Sequence, residues 1–517
     1  WKAVLPAMKA GGPHTLTVKG SNTLTFEDVL VGEVWLCSGQ SNMEMGIGAV
    51  KNGQQEIAAA NYPNIRLLMV PNRWTPEPQK DMEGIWKICT PATVAEGGWN
   101  GFSACGFFFG RELHKALNVP IGLIDASWGG TCIQSWTPPE GFAAVPALKK
   151  DSERVQTGDP RTSAHKQRLE QTLKQTEEWI AAAKTAMNES KIAPPMPTYP
   201  SELLPPHELQ HPTALYNGMI HPLCPFALQG AIWYQGESNN GEGMLYAERM
   251  KALIGGWREI WSVKDKGFPF YFVQIAPFKY GGRPQAEPEL WEAQAAAAQT
   301  IRDAGMVVIS DIGNLNDIHP ANKQDVGKRL AAWALARTYG KPGIIYSGPE
   351  FKEMAVEGNK LRLTFNHVGG GLASRDGKPL DCFEIIDADE GGFVKADAVT
   401  DGKTILLTAA GVKKPAAMRF AWHQLAEPNL MNKEGLPAGA FRAGTLPQRD
   451  WMSINVPEAK DYKLVYDLDL AKLGHDIKYD TDNRASAGQS FTRIAYCHEL
   501  QSEGGELQCV YVSMDAF

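Results

Sequence analysis

The stretch Val34-Trp-Leu-Cys-Ser-Gly-Gln-Ser-Asn42 decides how this chain is read. Its four leading apolar residues have the form of a strand buried on both faces. A small polar turn follows without a spacer and sets Ser41 just past the carboxyl end of that strand. Open α/β sheets bind their ligands at that edge. A serine there also has an ordinary use, as the cap of the next helix. This fragment alone favours the cap, so the rest of the chain has to decide.

Outward from Ser41, apolar strands are expected at 120–125, 229–234, 270–275 and 306–310. Helical spacing is expected at 107–117, 246–260, 289–303 and 324–339. Strands alternating with helices predict a mainly parallel sheet covered on both faces. Residues 141–215 break the alternation. They hold a polar helix over 161–187 and a Pro-rich extended run over 193–212, which together read as an insertion. After Pro342 short strands with turn signals replace the helices, as in a sandwich. The expected domains are 1–31 as the end of a β domain, 32–340 as the α/β domain, 341–450 as a β-sandwich-like domain, and 451–517 as a partial strand-rich unit. The chain opens on Trp1-Lys-Ala without a Met or a signal peptide, so a piece cut from both sides is expected.

The composition narrows the function. Fifty-one basic and 58 acidic residues give a net charge of −7, which argues against a broad nucleic-acid surface. No apolar run approaches the ~18 residues of a membrane span. Eight cysteines contain no C-x-x-C pair, so no structural zinc site is expected. Cys497 and Cys509, both in strand-like runs, are the pair whose setting suggests a bridge.

Three more strand ends carry chemistry. Residues 120–125 run into Ser127-Trp-Gly-Gly-Thr131, whose paired glycines let backbone N–H groups approach a ligand. Residues 229–234 run into Gln235-Gly-Glu-Ser-Asn239, a polar turn able to aim an amide. Residues 306–310 lead through Asp311 to Asp317-Ile-His319-Pro320. Together these supply a nucleophile, oxyanion donors and a base with a carboxylate. The chain order, Ser before Asp-His, is one that triad enzymes use.

These turns resemble the SGNH-hydrolase superfamily and, within it, the sialate O-acetylesterase family of carbohydrate esterases. The resemblance covers roughly residues 1–450. It rests on Trp35-Leu-Cys-Ser-Gly-Gln-Ser-Asn-Met43, Ser127-Trp-Gly-Gly-Thr131 with Trp136, Trp233-Tyr-Gln-Gly-Glu-Ser-Asn239 and Asp317-Ile-His-Pro320. The missing G-x-S-x-G at Ser41 argues against an α/β-hydrolase elbow. The resemblance implies an α/β fold with an SGNH-type, flavodoxin-like parallel sheet. It implies Ser41 as nucleophile, with the Ser41 amide, the Gly129 amide and the Gln235 side chain as oxyanion donors. His319 is implied as the base and Asp317 as the acid that holds its Nδ1. The superfamily pattern sets the acid three residues before the histidine. That position is Asn316 here, so Asn316 or a backbone carbonyl is the alternative to Asp317.

The implied reaction removes an acetyl group from a sugar hydroxyl through an acetyl-enzyme, with O-acetylated sialic acid as the first substrate expected. Acetyl xylan or another acetylated carbohydrate is the alternative, and an inactive glycan-binding protein the second. Trp136, Glu237 and Asn239 are weaker substrate-binding candidates. No cofactor, metal, nucleic-acid or membrane partner is expected. The resemblance suggests export from a bacterial cell, to the periplasm or beyond.

Several residues imitate other sites. His207-Glu-Leu-Gln-His211 matches the H-E-x-x-H pattern of zinc proteases, but Pro205, Pro206 and Pro212 deny it the helix it needs. Cys37 lies close to Ser41 but inside an apolar strand, which suits a buried thiol. Asp311 is equally readable as a substrate contact or a turn cap. His221 and His423 are lone histidines, and Gly369-Gly-Gly371 reads as a turn. Trp136 and Trp233 could stack on sugar, although aromatics beside strands more often pack a core.

Overall fold

A computed structural model describes residues 5–204, 206, 208–263, 267–389, 391–447, 456, 462–467, 481–483, 492–500 and 508–515. The chain divides into two compact units. The first holds the described residues up to Glu350, together with His367–Gly370 and Trp422–Ala440. The second holds Phe351–Asn366, Gly371–Ala421 and the described residues from Phe441 onward.

The first unit opens with an exposed antiparallel hairpin, β1 (Gly11–Lys19) and β2 (Thr23–Val31). A seven-stranded sheet follows. Its strands are β3 (Glu33–Gly39), β4 (Tyr62–Met69), β5 (Lys87–Cys89), β6 (Ile121–Ser127), β7 (Gly230–Tyr234), β8 (Phe270–Val273) and β9 (Ala304–Val307). They lie in the order β5-β4-β6-β3-β7-β8-β9. Every pairing is parallel except β4 with β5, which is antiparallel. The strand that leads to Ser41 is thus central, with β6 on one side and β7 on the other.

The apolar run at Trp35 explains that position. Trp35, Leu36 and Cys37 have no exposed surface, and neither do Ile232, Trp233 and Tyr234 on β7. Full burial of one such large side chain is worth roughly 1.5–3 kcal/mol, so a central strand is where this run is most stable. Gly39 makes the β3–β7 seam possible. Its φ is +141°, and a Cβ there would lie 2.2 Å from the Tyr234 carbonyl oxygen.

Helices cover both faces. The helix Ala104–Leu117 buries Phe107, Phe108 and Phe109 against the sheet. Ser103 caps it by accepting from the Gly106 amide, and Asn118 ends it in the left-handed conformation. The insertion forms the helix Ser163–Asn188, capped by Thr162, with few buried residues. A largely exposed run without regular structure follows over 191–200.

Three elements depart from expectation. β4 and β5 were not foreseen, because Pro63 and Arg66 break the apolar pattern of β4 (Tyr62–Met69). The helix expected over 324–339 is the α-helix Lys323–Trp333 followed by a π-helical turn, Ala334–Thr338.

The second unit contains two four-stranded antiparallel sheets. Phe351 and Phe365 from one sheet meet Phe441 of the other, with ring centroids 4.7 and 5.8 Å apart. Phe420 and Phe383 extend this aromatic core. The bridge suggested for Cys497 and Cys509 does not form. Cys497 faces Tyr511 and Cys509 faces Glu499, so the two cysteines are diagonal rather than opposite.

Candidate active site

The turn after β3 becomes a short helix, α1 (Ser41–Glu44), with Ser41 at its first position. The segment after β9 returns over the same strand ends and brings His319 to it. His319 Nε2 lies 2.9 Å from Ser41 Oγ, across 278 residues of chain. Nδ1 of the same ring is 3.6 Å from Asp317 Oδ1, longer than a good hydrogen bond. That oxygen also accepts the backbone N–H of His319 at 2.9 Å, so Asp317 closes its own turn. The carboxylate facing Nδ1 therefore comes from Asp317, which stays 58% exposed. The edge of Trp99 packs on the imidazole, with ring centroids 4.8 Å apart at 83°.

Burial and then the nearby Lys323 ammonium hold the His319 pKa below the ordinary imidazole value, against the opposite pull of Asp317. A neutral imidazole facing a serine hydroxyl is the protonation state a general base needs.

Gly129 lies against the serine. A Cβ on it would fall 3.2 Å from Ser41 Cβ. Its N–H is occupied, however, and donates to Glu44 Oε2 at 2.6 Å. Glu44 sits one turn after Ser41 on α1, so the serine's own helix supplies the carboxylate. The Ser41 amide, first in α1, has no acceptor within the helix.

The Gln235 side chain, expected as an oxyanion donor, is engaged by its neighbours. Its side-chain nitrogen donates to the Thr131 carbonyl at 3.1 Å and to Asn239 Oδ1 at 2.7 Å. Its oxygen accepts from Tyr246 Oη at 2.8 Å. Both amide hydrogens are used, and the side chain is fully buried. In this arrangement Gln235 braces the 131–136 segment and presents no donor to an oxyanion. Asn239 belongs to the same brace: it accepts from the Ile133 amide at 3.0 Å and donates to Gln134 Oε1 at 2.8 Å.

The other two substrate-binding candidates are also inside. Trp136 has no exposed surface. It donates to Thr131 Oγ1 and meets Trp233 edge to face, so packing holds it away from any ligand. Glu237 is 8% exposed and accepts from Asn42 Nδ2 at 2.6 Å. Burial raises its pKa, while the Asn42 bond and Lys323 lower it.

Four residues around the serine and histidine carried no role in the sequence reading: Asn42, Glu44, Trp99 and Lys323. Asn42 stood inside the quoted motif beside Ser41, and Glu44 directly followed it. Lys323 opens the helix that follows His319, and nothing in its sequence setting marked it. Trp99 offered no signal beyond its position between Gly98 and Asn100.

Asp311 is a structural anchor, held by the Arg329 guanidinium through contacts of 2.7 and 2.5 Å. The Cys37 thiol is fully buried, and burial raises its pKa well above the ordinary value. His207 of the H-E-x-x-H match lies outside the described residues. His211 is buried, with Nδ1 3.1 Å from the Pro212 carbonyl. Among the described residues no cluster of three or more His, Cys, Asp or Glu is arranged to hold a metal ion. No described helix is long and apolar enough to cross a membrane.

Comparison with known proteins identifies the family. Residues 31–165 match the family model described as carbohydrate esterase, sialic acid-specific acetylesterase. The sialate O-acetylesterase of Rattus norvegicus is 32% identical over 393 residues, 71% of this chain and 69% of the relative. That of Mus musculus is 31% identical over 396 residues, with the same 71% and 69% shares. A carbohydrate acetylesterase from Xanthomonas citri has a solved structure that superposes with a TM-score of 0.69 at 35% identity, covering 86% of this chain and 88% of that one. The chain therefore belongs to the sialate O-acetylesterase family and is a carboxylic ester hydrolase.

Proposed function

We propose that the protein is a serine esterase that removes O-acetyl groups from carbohydrate, with O-acetylated sialic acid as its first substrate. The observation that carries this reading is the 2.9 Å approach of His319 Nε2 to Ser41 Oγ at the strand ends of the parallel sheet. Ser41 Oγ attacks the ester carbonyl while His319 takes its proton. The oxyanion forms beside the Ser41 amide and the Gly129 amide, and it displaces Glu44 from the latter. His319 then protonates the departing sugar hydroxyl. Water, deprotonated by the same imidazole, attacks the acetyl-Ser41 ester and releases acetate. Asp317 stabilises the imidazolium in both halves.

The alternative substrate class is acetyl xylan or another acetylated sugar, supported by the likeness to the Xanthomonas carbohydrate acetylesterase. The same proposal has the protein exported from a bacterial cell, which fractionation tests. The chemistry is tested by acetate release from O-acetylated sialic acid, acetylated xylan and acetylated hexoses. Ser41→Ala is expected to lose at least ~1000-fold in kcat on every one of them, the scale of losing a triad nucleophile. Wild-type activity in Ser41→Ala removes the mechanism. Preference for xylan or hexose over sialic acid moves the assignment to the alternative.

A further inference from the structure

Lys323 is the first residue of the helix Lys323–Trp333 and has no exposed surface. Its ammonium donates to Asn42 Oδ1 at 2.5 Å and lies 4.9 Å from the centre of the Tyr234 ring. No carboxylate comes within ion-pair distance of it among the described residues. A buried ammonium without a contacting carboxylate is costly, and an apolar side chain would fill the same space more cheaply. The charge therefore calls for a use.

The use follows from donor chemistry. A lysine ammonium only donates, so the Asn42 oxygen must face it. The Asn42 NH2 is then forced to the other side. There it donates to the Ile318 carbonyl at 2.9 Å and to Glu237 Oε1 at 2.6 Å. Ile318 immediately precedes His319, and Asn42 immediately follows Ser41. One amide therefore ties the base's segment to the nucleophile's helix, and Lys323 decides which way that amide points.

We infer that Lys323 is a positioning residue for the ester hydrolysis: by orienting Asn42 it fixes the Ile318 carbonyl and hence the imidazole of His319 on Ser41 Oγ. The inference rests on the serine–histidine reading above. A second effect comes with it. His319 faces Lys323 from the helix, Asp317 from its own turn, and the uncharged Ser41 and Trp99. Lys323 in turn faces Glu237 after β7, Cys105 on the helix Ala104–Leu117, Asp317, and the Tyr234 ring. Burial brings the Lys323 pKa down to about 8, so the group is still mostly charged at neutral pH. Its charge opposes protonation of His319 and keeps the base available at lower pH.

Three variants separate orientation from charge: Lys323→Met, Lys323→Gln and Lys323→Arg. Each is measured for kcat, KM and the acid limb of kcat/KM on p-nitrophenyl acetate. Lys323→Met is expected to lose roughly 10–100-fold in kcat at nearly unchanged KM, the scale of a misplaced reacting group. Its acid limb is expected to move up by roughly 0.5–1 pH unit as the opposing charge disappears. Lys323→Gln keeps a donor without the charge, so kcat recovers while the acid limb stays displaced. Lys323→Arg keeps donor and charge and returns the limb toward wild type.

A kcat unchanged in Lys323→Met, or an acid limb unmoved in both Lys323→Met and Lys323→Gln, overturns the inference. Should Lys323→Met fail to fold, Lys323→Gln alone decides. Labelling of Ser41 by a fluorophosphonate keeps the two readings apart. If wild-type Ser41 does not label and Ser41→Ala stays active, the serine–histidine reading fails. If Ser41 labels and the Lys323 variants keep the wild-type limb, only the positioning role fails.

Discussion

Replacing Asp317 by Asn tests how dry the proposed catalytic centre is. The asparagine oxygen can still accept the His319 backbone N–H now bonded at 2.9 Å, so the turn survives and only the charge is removed. The lost interaction is between the carboxylate and the imidazolium that forms during attack. At the observed 3.6 Å it is worth about 1 kcal/mol in a water-like medium and about 5 kcal/mol in an interior-like one. Asp317 is 58% exposed, which pulls the value toward the lower end. About 2 kcal/mol corresponds to a loss of about 30-fold in kcat. By contrast, a fully buried triad acid loses about 10,000-fold on the same change. The assay is kcat on an acetylated sugar, with active enzyme counted by fluorophosphonate titration. A loss of 10,000-fold refutes the half-exposed picture, and a change below about threefold refutes any electrostatic role.

The bonds of the Gln235 side chain predict that Gln235→Ala strips the Thr131 carbonyl of a donor, while Asn239 Oδ1 keeps the Ile133 N–H and Tyr246 Oη keeps the Gln235 backbone carbonyl, at a cost of roughly 1–3 kcal/mol in urea denaturation. Unchanged stability with a 100–1000-fold fall in kcat would return Gln235 to the oxyanion hole. Asp125, at the carboxyl end of β6, is buried, and burial raises its pKa to about 7 against the bonds from Ser127 and Ser103. A carboxyl raised on folding stabilises fully below its unfolded value near 4, and that stabilisation is lost as pH climbs through about 7. Unfolding midpoints of the wild type should therefore fall relative to Asp125→Asn between pH 4.5 and 8, and a constant difference between the two across that range counts against the assignment.

The pairing of Ser41 with His319 was legible because Ser41 directly follows the unmistakable apolar run of β3 and His319 lies on the segment that leaves β9. Strand register then fixes where such turns must meet. The sheet was legible for the same reason, except at β4, where Pro63 and Arg66 disguise an edge-side strand. Side-chain direction was not legible. Gln235 sits at a strand end as Ser41 does, yet its amide is claimed by neighbours on other elements, Thr131 and Tyr246. Trp136 occupies a family motif, and only packing against Trp233 reveals that it serves the core. Lys323 lacked any pattern because the partner it bonds, Asn42, lies 281 residues away.

The order of strands across the central sheet has a practical consequence. β5, β4, β6 and β3 all precede the exposed segment at 191–200, and β7, β8 and β9 all follow it. A cut in that segment would part the sheet along one line, the pairing from Trp35–Gly230 to Gly39–Tyr234. One fragment would keep Ser41, Glu44 and Gly129, and the other Glu237, His319 and Lys323. On the proposed serine–histidine mechanism, neither is expected to hydrolyse an ester alone. Turnover from a mixture of the two would report their reassembly, which makes this architecture a natural fragment-complementation system.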